Sequence, residues 1–153
     1  MIQYVVGLLF TEDHKRVVLL HKARPEWQRM KWNGPGGKVE EGETSPECMS
    51  REFLEETGVL VPTSQWEHTT TLIGEDFECA FFRAFSDEAV KDVQTTGSET
   101  VATLWITGLH SIPMVNHLDW IIPLQLDQGV RFPIPPVWDS ACPPNDPRQI
   151  TEP

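Results

Sequence analysis

One stretch of the chain, residues 36 to 59, limits the possible folds more than any other. It opens with two glycines and continues into residues 43 to 57, whose ends carry helix signals. A threonine and a serine ahead of Pro46 can each cap the first turn, Pro46 suits that turn, and Gly58 is a typical helix stop. The pattern therefore predicts a glycine loop that leads directly into a helix of about four turns.

Three glutamates of the predicted helix, Glu52, Glu55 and Glu56, fall on one stripe. Spacings of three and four residues place side chains on the same face, within about 100° of arc. Like charges at this spacing repel by a few tenths of a kcal/mol per pair, roughly. The stripe is therefore either a solvated acidic face or a site for divalent cations. Hard cations such as Mg²⁺ take oxygen ligands and commonly bridge carboxylates to phosphates.

The rest of the chain alternates between apolar runs of strand length and turn residues. One run, residues 77–85, is apolar on both faces, which predicts a strand inside a sheet that is covered on both sides. Strands and helices together predict an α/β fold with one mixed sheet between helical layers. The predicted strands are residues 4–10, 16–21, 68–73, 77–85 and 101–106, the second helix is 117–126 with Pro123 inside it, and residues 22–35 and 86–100 are predicted to be loops.

A chain of 153 residues is expected to form one domain. We assign residues 1–131 to this domain and residues 132–153, of which seven are proline, to a tail without assigned chemistry. Twelve basic and 23 acidic side chains give a formal charge of −11. Because a general nucleic-acid binder needs a basic surface, no nucleic-acid polymer is expected as a partner.

The apolar runs and the cysteines predict a cytoplasmic protein. No stretch approaches the ~18 apolar residues of a membrane helix, so no membrane contact is expected. The first ten residues lack a basic region and a cleavage site, and we interpret them as a strand rather than a signal peptide. Cys48, Cys79 and Cys142 are odd in number and widely spaced, which favours reduced thiols over disulfides or a zinc site.

Fixed residue types in residues 37–59 follow a single spacing. Gly37 is followed after five residues by Glu43, and after seven more by Arg51-Glu-Phe-Leu-Glu-Glu-Thr-Gly-Val. This resembles, without a mismatch, the Nudix hydrolase signature G-x5-E-x7-R-E-U-x-E-E-x-G-U, where U is a bulky apolar residue. Seven fixed types would coincide at one start with odds on the order of 10⁻⁸. A P-loop and a dinucleotide fingerprint both fail at Val39.

The resemblance implies an α/β/α sandwich and an enzyme that cleaves a diphosphate linked to another moiety, usually a nucleoside. Water attacks phosphorus with the help of Mg²⁺ or Mn²⁺. By the same resemblance Glu52, Glu55 and Glu56 are metal ligands, together with the carbonyl of Gly36. Either Glu52 or Glu56 would deprotonate the water. Arg51 would orient an acid or, alternatively, take part by touching the substrate.

Further candidates lie in and around the signature. Many Nudix enzymes place another acid on a later loop as base or metal ligand, and Glu99 stands at that place; a plain loop glutamate is the equal alternative. Lys22, just past the second predicted strand, would meet a phosphate oxygen or remain solvated. Gly37 and Lys38 belong to a glycine-rich loop with a lysine, a combination that often cradles phosphates. Glu43 would brace this loop against the helix.

Two segments point to the base of a nucleotide. "KWNGPGGKVEEGET" resembles the corresponding stretch of Nudix enzymes that hydrolyse oxidised purine nucleotides such as 8-oxo-dGTP, in which an asparagine at the place of Asn33 contacts the base. "IPMVNHLDW" resembles the segment where related enzymes offer an asparagine to the purine, which indicates Asn116. An amide donates and accepts at once, as a purine edge requires. Pro35 and His117 depart from that enzyme type and leave the preferred base open.

The sequence thus predicts a Mg²⁺-dependent pyrophosphohydrolase that cleaves a nucleoside triphosphate, such as an oxidised purine dNTP, to the monophosphate and pyrophosphate. Its partner is a small nucleotide, and the protein is a monomer or a homodimer. Two alternatives stay open. One is a Nudix hydrolase of another nucleoside diphosphate derivative, such as a dinucleotide polyphosphate or an ADP-sugar. The other is a Nudix module that binds a nucleotide without cleaving it.

Overall fold

A computed structural model describes residues 1 to 139, and within them eight strands form one mixed sheet that is flanked by three α-helices. Cys142 and most of the predicted tail lie outside these residues. The strands are β1 (Ile2–Phe10), β2 (Arg16–His21), β3 (Trp32–Asn33), β4 (Gly36–Lys38), β5 (Glu67–Ile73), β6 (Phe77–Phe85), β7 (Thr100–Trp105) and β8 (Val137–Trp138); the helices are α1 (Ser45–Thr57), α2 (Asp87–Asp92) and α3 (Leu118–Gln125).

The sheet is split next to its central strand. β1 pairs in parallel with β6 along its whole length, and β6 continues through β5 to β8. On the other side β1 and β2 pair only beside their connecting turn, at Phe10 and Val17, and then diverge. β4 pairs with β1 and β3 with β2, so the glycine loop between β3 and β4 occupies the opening. β7 pairs with β2 alone.

Side chains of β1 alternate between two buried cores, one on each face of the sheet. Val5 and Leu9 belong to the core under α1 and α2, whereas Val6 and Leu8 belong to the core under α3. Successive side chains of a strand point to opposite faces, so a strand that is apolar throughout needs a covering layer on both sides. The predicted mixed sheet between helical layers is confirmed.

Helix α1 begins and ends as its sequence signals predict. The Thr44 side chain accepts a hydrogen bond from the backbone N–H of Glu47, and the Glu47 carboxylate accepts one from the N–H of Thr44. This capping box satisfies two N–H groups that lack a partner in the helix, and such a cap contributes about 1 kcal/mol. Gly58 ends the helix with a φ of +78°, a conformation that glycine adopts at little cost.

The same helix packs closely on β1 at Gly7. A Cβ at this position would lie 2.6 Å from Cε of Met49 and 2.9 Å from Cη2 of Trp66. Met49 and Phe53 of α1 are fully buried, and full burial of such a side chain contributes about 1.5–3 kcal/mol. This packing fixes α1, and with it the glutamate stripe, beside the split in the sheet.

Two loop predictions were wrong. Residues 22–35 contain β3 and a 3-10 turn, Glu26–Gln28, and residues 86–100 contain α2. The Ser86 hydroxyl caps α2 by accepting a hydrogen bond from the N–H of Ala89. Val90 is the one buried residue of this helix, so its sequence carries almost no apolar period.

The start of the predicted tail lies on the sheet. The N–H of Ile134 donates to the carbonyl of Thr69 at 2.8 Å, and β8 pairs in parallel with β5. Cys48 and Cys79 are free thiols. No helix within residues 1–139 has the length and apolar character to cross a bilayer.

Candidate active site

The glycine loop packs against the backbone of β1 with no room for side chains. The N–H of Gly7 donates to the carbonyl of Pro35 at 2.8 Å. A Cβ at Gly34 would lie 2.7 Å from the carbonyl oxygen of Gly7, and a Cβ at Gly36 would collide with the carbonyl of Val5. Glycine is therefore required here by close backbone approach.

Two glutamates of the stripe contact this loop directly. The carboxylate of Glu52 lies on Gly37, so closely that a Cβ on Gly37 would collide with it. The N–H of Gly36 donates to Oε1 of Glu56 at 2.9 Å. The first fixed glycine of the signature thus has a physical reason, since it makes room for a carboxylate from the helix.

Arg51 links the acids to each other. Its guanidinium makes a bidentate pair with Glu43, with Nε to Oε2 at 2.6 Å and Nη2 to Oε1 at 3.0 Å. Nη1 donates to Glu52 at 3.0 Å and to Glu55 at 3.5 Å, and Nη2 donates to the carbonyl of Lys38 at 3.3 Å. All of these contacts are to the protein's own acids and backbone, so the guanidinium orients carboxylates.

Burial and pairing give the acids different affinities for protons. Burial raises the pKa of Glu56 to about 7 and also raises the pKa of Glu52. The hydrogen bonds from Arg51 lower the pKa of Glu43 to about 2. Desolvation disfavours a buried charge, and a nearby cation favours it. A bound cation would therefore stabilise the ionised forms of Glu52 and Glu56, whereas Arg51 already stabilises the ionised form of Glu43.

Lys22 and Glu99, predicted separately, form an ion pair. Nζ of Lys22 lies 3.0 Å from Oε1 of Glu99, and both side chains are about 15% exposed. Oε2 of Glu99 accepts from the N–H groups of Ala23 at 2.7 Å and Arg24 at 3.4 Å. Burial opposes ionisation of Glu99, but these bonds outweigh it and lower its pKa. The charge of Lys22 lowers the pKa of Glu56 and that of Glu99 raises it, so both groups act on the stripe.

A cleft of about 520 Å³ opens beside the glycine loop, within the usual size range of a small-ligand site. Lys22, Asn33, Gly37 and Asn116 line it, so four of the predicted substrate-binding residues share one cavity. The fifth, Lys38, has an exposed side chain and is not among the described residues that line the cleft. Apolar side chains of four elements complete the walls, among them Val6, Leu72, Phe81 and Leu118.

The two asparagines differ in how they are held. Asn33 is nearly buried; its amide nitrogen donates to Gln28 at 3.3 Å, and its oxygen accepts from the N–H of Gly34 at 2.8 Å. Asn116 is exposed and lies in the chain segment that leads into α3. The first amide is fixed in place and the second is accessible to a ligand.

The sequence interpretation missed a charged group of the cleft wall, Asp139. Its Oδ1 lies 2.9 Å from Nε2 of His117, and both residues line the cleft. Nε1 of Trp120 donates to Nδ1 of His117 at 3.0 Å, so the neutral ring carries its proton on Nε2 and donates it to Asp139. Asp139 was assigned to the tail, although the apolar pair Val137–Trp138 just before it was a signal for a short strand.

The acids of the stripe supply suitable donors for a hard cation but do not converge in this structure. Within residues 1–139 no three His, Cys, Asp or Glu side chains are close enough together to hold a metal ion. Glu52 faces Arg51, Glu55 is largely exposed, and Glu56 accepts from Gly36. The donor set nevertheless fits Mg²⁺, because it consists of carboxylate oxygens of which two are destabilised by burial. Rotation of these side chains would be needed to bring them to one ion.

Comparison with known proteins identifies similar chains. The model of the NUDIX domain matches residues 1–111. The uncharacterized Nudix hydrolase YvcI of Bacillus subtilis is 37% identical over 75 residues, which are 49% of this chain and 44% of YvcI. The mouse oxidized purine nucleoside triphosphate hydrolase is 48% identical over 46 residues, 30% of each chain. This chain therefore aligns with less than half the length of either relative.

Solved structures show the same fold at low identity. The NUDIX domain of Shewanella oneidensis NrtR, solved in complex with ADP ribose, superposes with a TM-score of 0.71. The two chains are 18% identical, and the match covers 84% of this chain and 88% of the other. At this identity the likeness concerns the fold.

Proposed function

Because the chain belongs to the Nudix family, we propose that it is a divalent-metal-dependent pyrophosphohydrolase that converts a purine nucleoside triphosphate to the monophosphate and pyrophosphate. One observation carries the proposal. The backbone of Gly36 and Gly37 lines the cleft and also contacts the carboxylates of Glu56 and Glu52. A nucleotide in the cleft would therefore have its phosphates beside the acidic stripe.

Members of this family generally use divalent metal ions. Glu52, Glu55 and Glu56, with the carbonyl of Gly36, would hold such an ion, which neutralises phosphate charge and makes a bound water easier to deprotonate. Arg51 keeps Glu52 in place through a direct hydrogen bond.

Glu56 is the best candidate for the group that takes the proton from the attacking water. A general base works best when its pKa lies near the operating pH, and burial places the pKa of Glu56 at about 7. Glu99 is less suited, because both of its oxygens already accept hydrogen bonds and its pKa is lowered. We assign Glu99 to holding Lys22 at the cleft, where the ammonium group can meet a phosphate oxygen.

The apolar part of the cleft would receive the base. Apolar side chains such as Val6, Leu72 and Phe81 line it, and Asn116 offers an accessible donor and acceptor to a purine edge. The 48% identity to the mouse oxidized purine nucleoside triphosphate hydrolase covers only 46 residues, but it supports a purine over a pyrimidine substrate.

A substrate panel tests the proposal. The chain is incubated with Mg²⁺ and each of the four dNTPs, 8-oxo-dGTP, ADP-ribose or a diadenosine polyphosphate, and the phosphorus products are quantified. We expect pyrophosphate and a monophosphate from a purine triphosphate. Hydrolysis of ADP-ribose alone would replace the proposed substrate class. Nucleotide binding without any turnover would favour the non-catalytic module.

Two variants locate the reaction in the same experiment. Glu56→Gln should lose most of the rate and remain folded, because the amide can still accept the hydrogen bond from Gly36. Glu41→Gln is the control, since Glu41 is an exposed acid that precedes the helix. Full turnover in Glu56→Gln would remove Glu56 from the mechanism.

A further inference from the structure

The last turn of α1 carries two of the three glutamates of the stripe. Glu55 and Glu56 stand directly before Thr57, at which the helix ends. The final four carbonyl groups of an α-helix have no partner within the helix, and helix ends open more readily than helix centres. An opening of this turn would displace both glutamates relative to Glu52, which lies about one turn earlier. The contacts that keep the turn closed therefore bear on the proposed metal site.

The segment between α2 and β7 supplies donors to two of these carbonyls. In a continuing helix the N–H of Val59 would bond to the carbonyl of Glu55, but it donates to the hydroxyl oxygen of Thr57 at 3.3 Å instead. The hydroxyl of Thr96 donates to the Glu55 carbonyl at 2.7 Å. The backbone N–H of Gln94 donates to the carbonyl of Thr57 at 3.0 Å. Two donors from another part of the chain thus close the last turn of α1.

This segment, the α2–β7 loop (residues 93–99), is itself held at both ends. Val93 at its start and Val101 just after it pack against the core under α1 and α2. The N–H of Val101 donates to the hydroxyl oxygen of Thr95 at 3.0 Å, which closes the loop on itself. Because a chain that is already confined has less conformational entropy to lose, the loop can support the helix end at little cost.

The same loop reaches the other side of the proposed site. Glu99, its last residue, accepts from Nζ of Lys22 at 3.0 Å and from the N–H of Ala23 at 2.7 Å. Thr96, three residues earlier, bonds to the backbone of Glu55. The α2–β7 loop therefore ties the helix end that carries two proposed metal ligands to the lysine that is proposed for a phosphate.

We propose that Thr96 is a positioning residue for the divalent-metal site, because its hydroxyl holds the last turn of α1 in the place from which Glu55 and Glu56 reach one ion. This inference rests on the proposed function, in that the stripe binds a divalent cation. Thr96 acts through the backbone of Glu55 and touches neither the ion nor the substrate. With the backbone fixed, only the carboxylates have to rotate toward the ion, so less freedom is lost on binding.

Binding of Mn²⁺ without nucleotide tests the proposal directly. Electron paramagnetic resonance measures free Mn²⁺ during a titration, and thermal unfolding verifies that each variant is folded. Thr96→Val removes the hydroxyl but keeps a branched side chain, and it should weaken Mn²⁺ binding about two- to tenfold, the net value of one hydrogen bond. Thr96→Ser keeps the donor and should restore the affinity.

A matched variant controls for the loss of a hydroxyl from this loop. Ser98→Ala changes an exposed position two residues from Thr96 and should leave Mn²⁺ affinity unchanged. Unchanged affinity in folded Thr96→Val would overturn the proposal. An equal loss in Ser98→Ala would overturn the assignment to Thr96.

Hydrogen exchange in the unmodified protein gives a second test that needs no variant. If docking of the loop raises the affinity for metal, bound metal must strengthen docking by the same factor. The N–H of Gln94 reports docking, because its acceptor is the carbonyl of Thr57. Saturating Mg²⁺ should slow its exchange about two- to tenfold, while the N–H of Val101, which bonds within the loop, should change less. Unchanged exchange at Gln94 with Mg²⁺ bound would overturn the proposal even if no variant at position 96 folds.

The outcomes distinguish this inference from the proposed function. If no nucleotide is hydrolysed, the proposed function fails, yet Thr96→Val should still weaken Mn²⁺ binding. If nucleotides are hydrolysed, Thr96→Val should raise the Mg²⁺ concentration that gives half the maximal rate, with the KM for nucleotide at saturating Mg²⁺ unchanged. A raised KM with a normal Mg²⁺ requirement would refute the inference alone. Absence of Mn²⁺ binding in the unmodified protein would refute the inference and the metal dependence together.

Discussion

Alanine substitutions at Gly36 and Gly37 should separate the two functions of the glycine loop. A methyl group on Gly37 would collide with the carboxylate of Glu52, the end of a flexible side chain that can rotate while Arg51 keeps its pair with Glu43. A methyl group on Gly36 would collide with the backbone carbonyl of Val5, in a register where β4 pairs with β1. The first collision can be relieved by rotation of Glu52, whereas the second requires a shift of the strand.

The expected magnitudes follow from this difference. In Gly37→Ala, rotation of Glu52 costs about 0.5–1.5 kcal/mol, and replacing glycine returns about 0.4–1 kcal/mol through the unfolded chain. The free energy of unfolding should therefore change by less than about 1 kcal/mol. In Gly36→Ala, overpacking should cost about 3 kcal/mol or more. At about 2–4 °C per kcal/mol, Tm should fall by roughly 6–12 °C in Gly36→Ala and by no more than about 4 °C in Gly37→Ala.

Gly37→Ala should lower the activity strongly although it leaves the stability nearly unchanged. A displacement of about 1 Å in a catalytic group can lower the rate about 100-fold, so Gly37→Ala should lose about two orders of magnitude in kcat although it is folded. Circular dichroism during heating measures Tm, and pyrophosphate release from the best substrate of the panel measures kcat. Normal kcat in Gly37→Ala would refute the role of the Glu52 position. A loss of stability in Gly37→Ala equal to that in Gly36→Ala would refute the assignment of the two collisions.

Three further predictions use the same assays. Glu43→Gln should lower the free energy of unfolding by about 1–2 kcal/mol at pH 7, with Glu41→Gln as the control. Pairing with Arg51 lowers the pKa of Glu43 in the folded protein to about 2. Its contribution to stability is therefore present above about pH 4.5, the usual carboxyl range, and disappears as the pH falls toward 2. If the difference in urea stability between the unmodified protein and Glu43→Gln stays constant across that range, the pairing is contradicted. EDTA should abolish product release and Mg²⁺ should restore it, while turnover that persists in EDTA would exclude the metal proposal. Cys48 is fully buried, and burial raises the pKa of its thiol to about 12. Mass spectrometry should therefore find Cys48 unalkylated by iodoacetamide at pH 8 until the protein is unfolded; rapid labelling of the native chain would contradict its burial.

The elements that were predicted correctly are those that depend on local signals. β1, β2, β5, β6 and β7 have runs of strand length that are rich in apolar or β-branched residues, and α1 has a cap, a first-turn proline and a glycine stop. The elements that were missed are stabilised by contacts with other parts of the fold. β3, β4 and β8 are two or three residues long and exist because neighbouring strands offer free edges, and the burial of α2 depends on Val90 alone. Neither property leaves a period in the sequence.

The site divides in the same way. The glutamate stripe follows from spacing within one helix, so its residues were identified without knowledge of the fold. The pairing of Lys22 with Glu99 joins positions 77 residues apart, and that of His117 with Asp139 joins positions 22 apart. Such pairs depend on how strands are ordered in the sheet. The sequence can identify the individual residues of such a pair, but it cannot show that they bond to each other.

The residues that line the cleft come from two parts of the chain, so we expect that the preference for a base can vary independently of the reaction. The glycine loop and the stripe lie within residues 1–111, which the family model matches, while Asn116, His117 and Asp139 lie beyond them. His117 and Asp139 hydrogen-bond to each other in the cleft wall, on segments separate from the helix that carries the stripe. Substitutions at these positions should therefore change the ratio of kcat/KM between bases without changing the metal requirement. Residues that act independently contribute additively, so the effects of Asn116→Ala and Glu56→Gln on the free energy of activation should sum within about 0.5 kcal/mol.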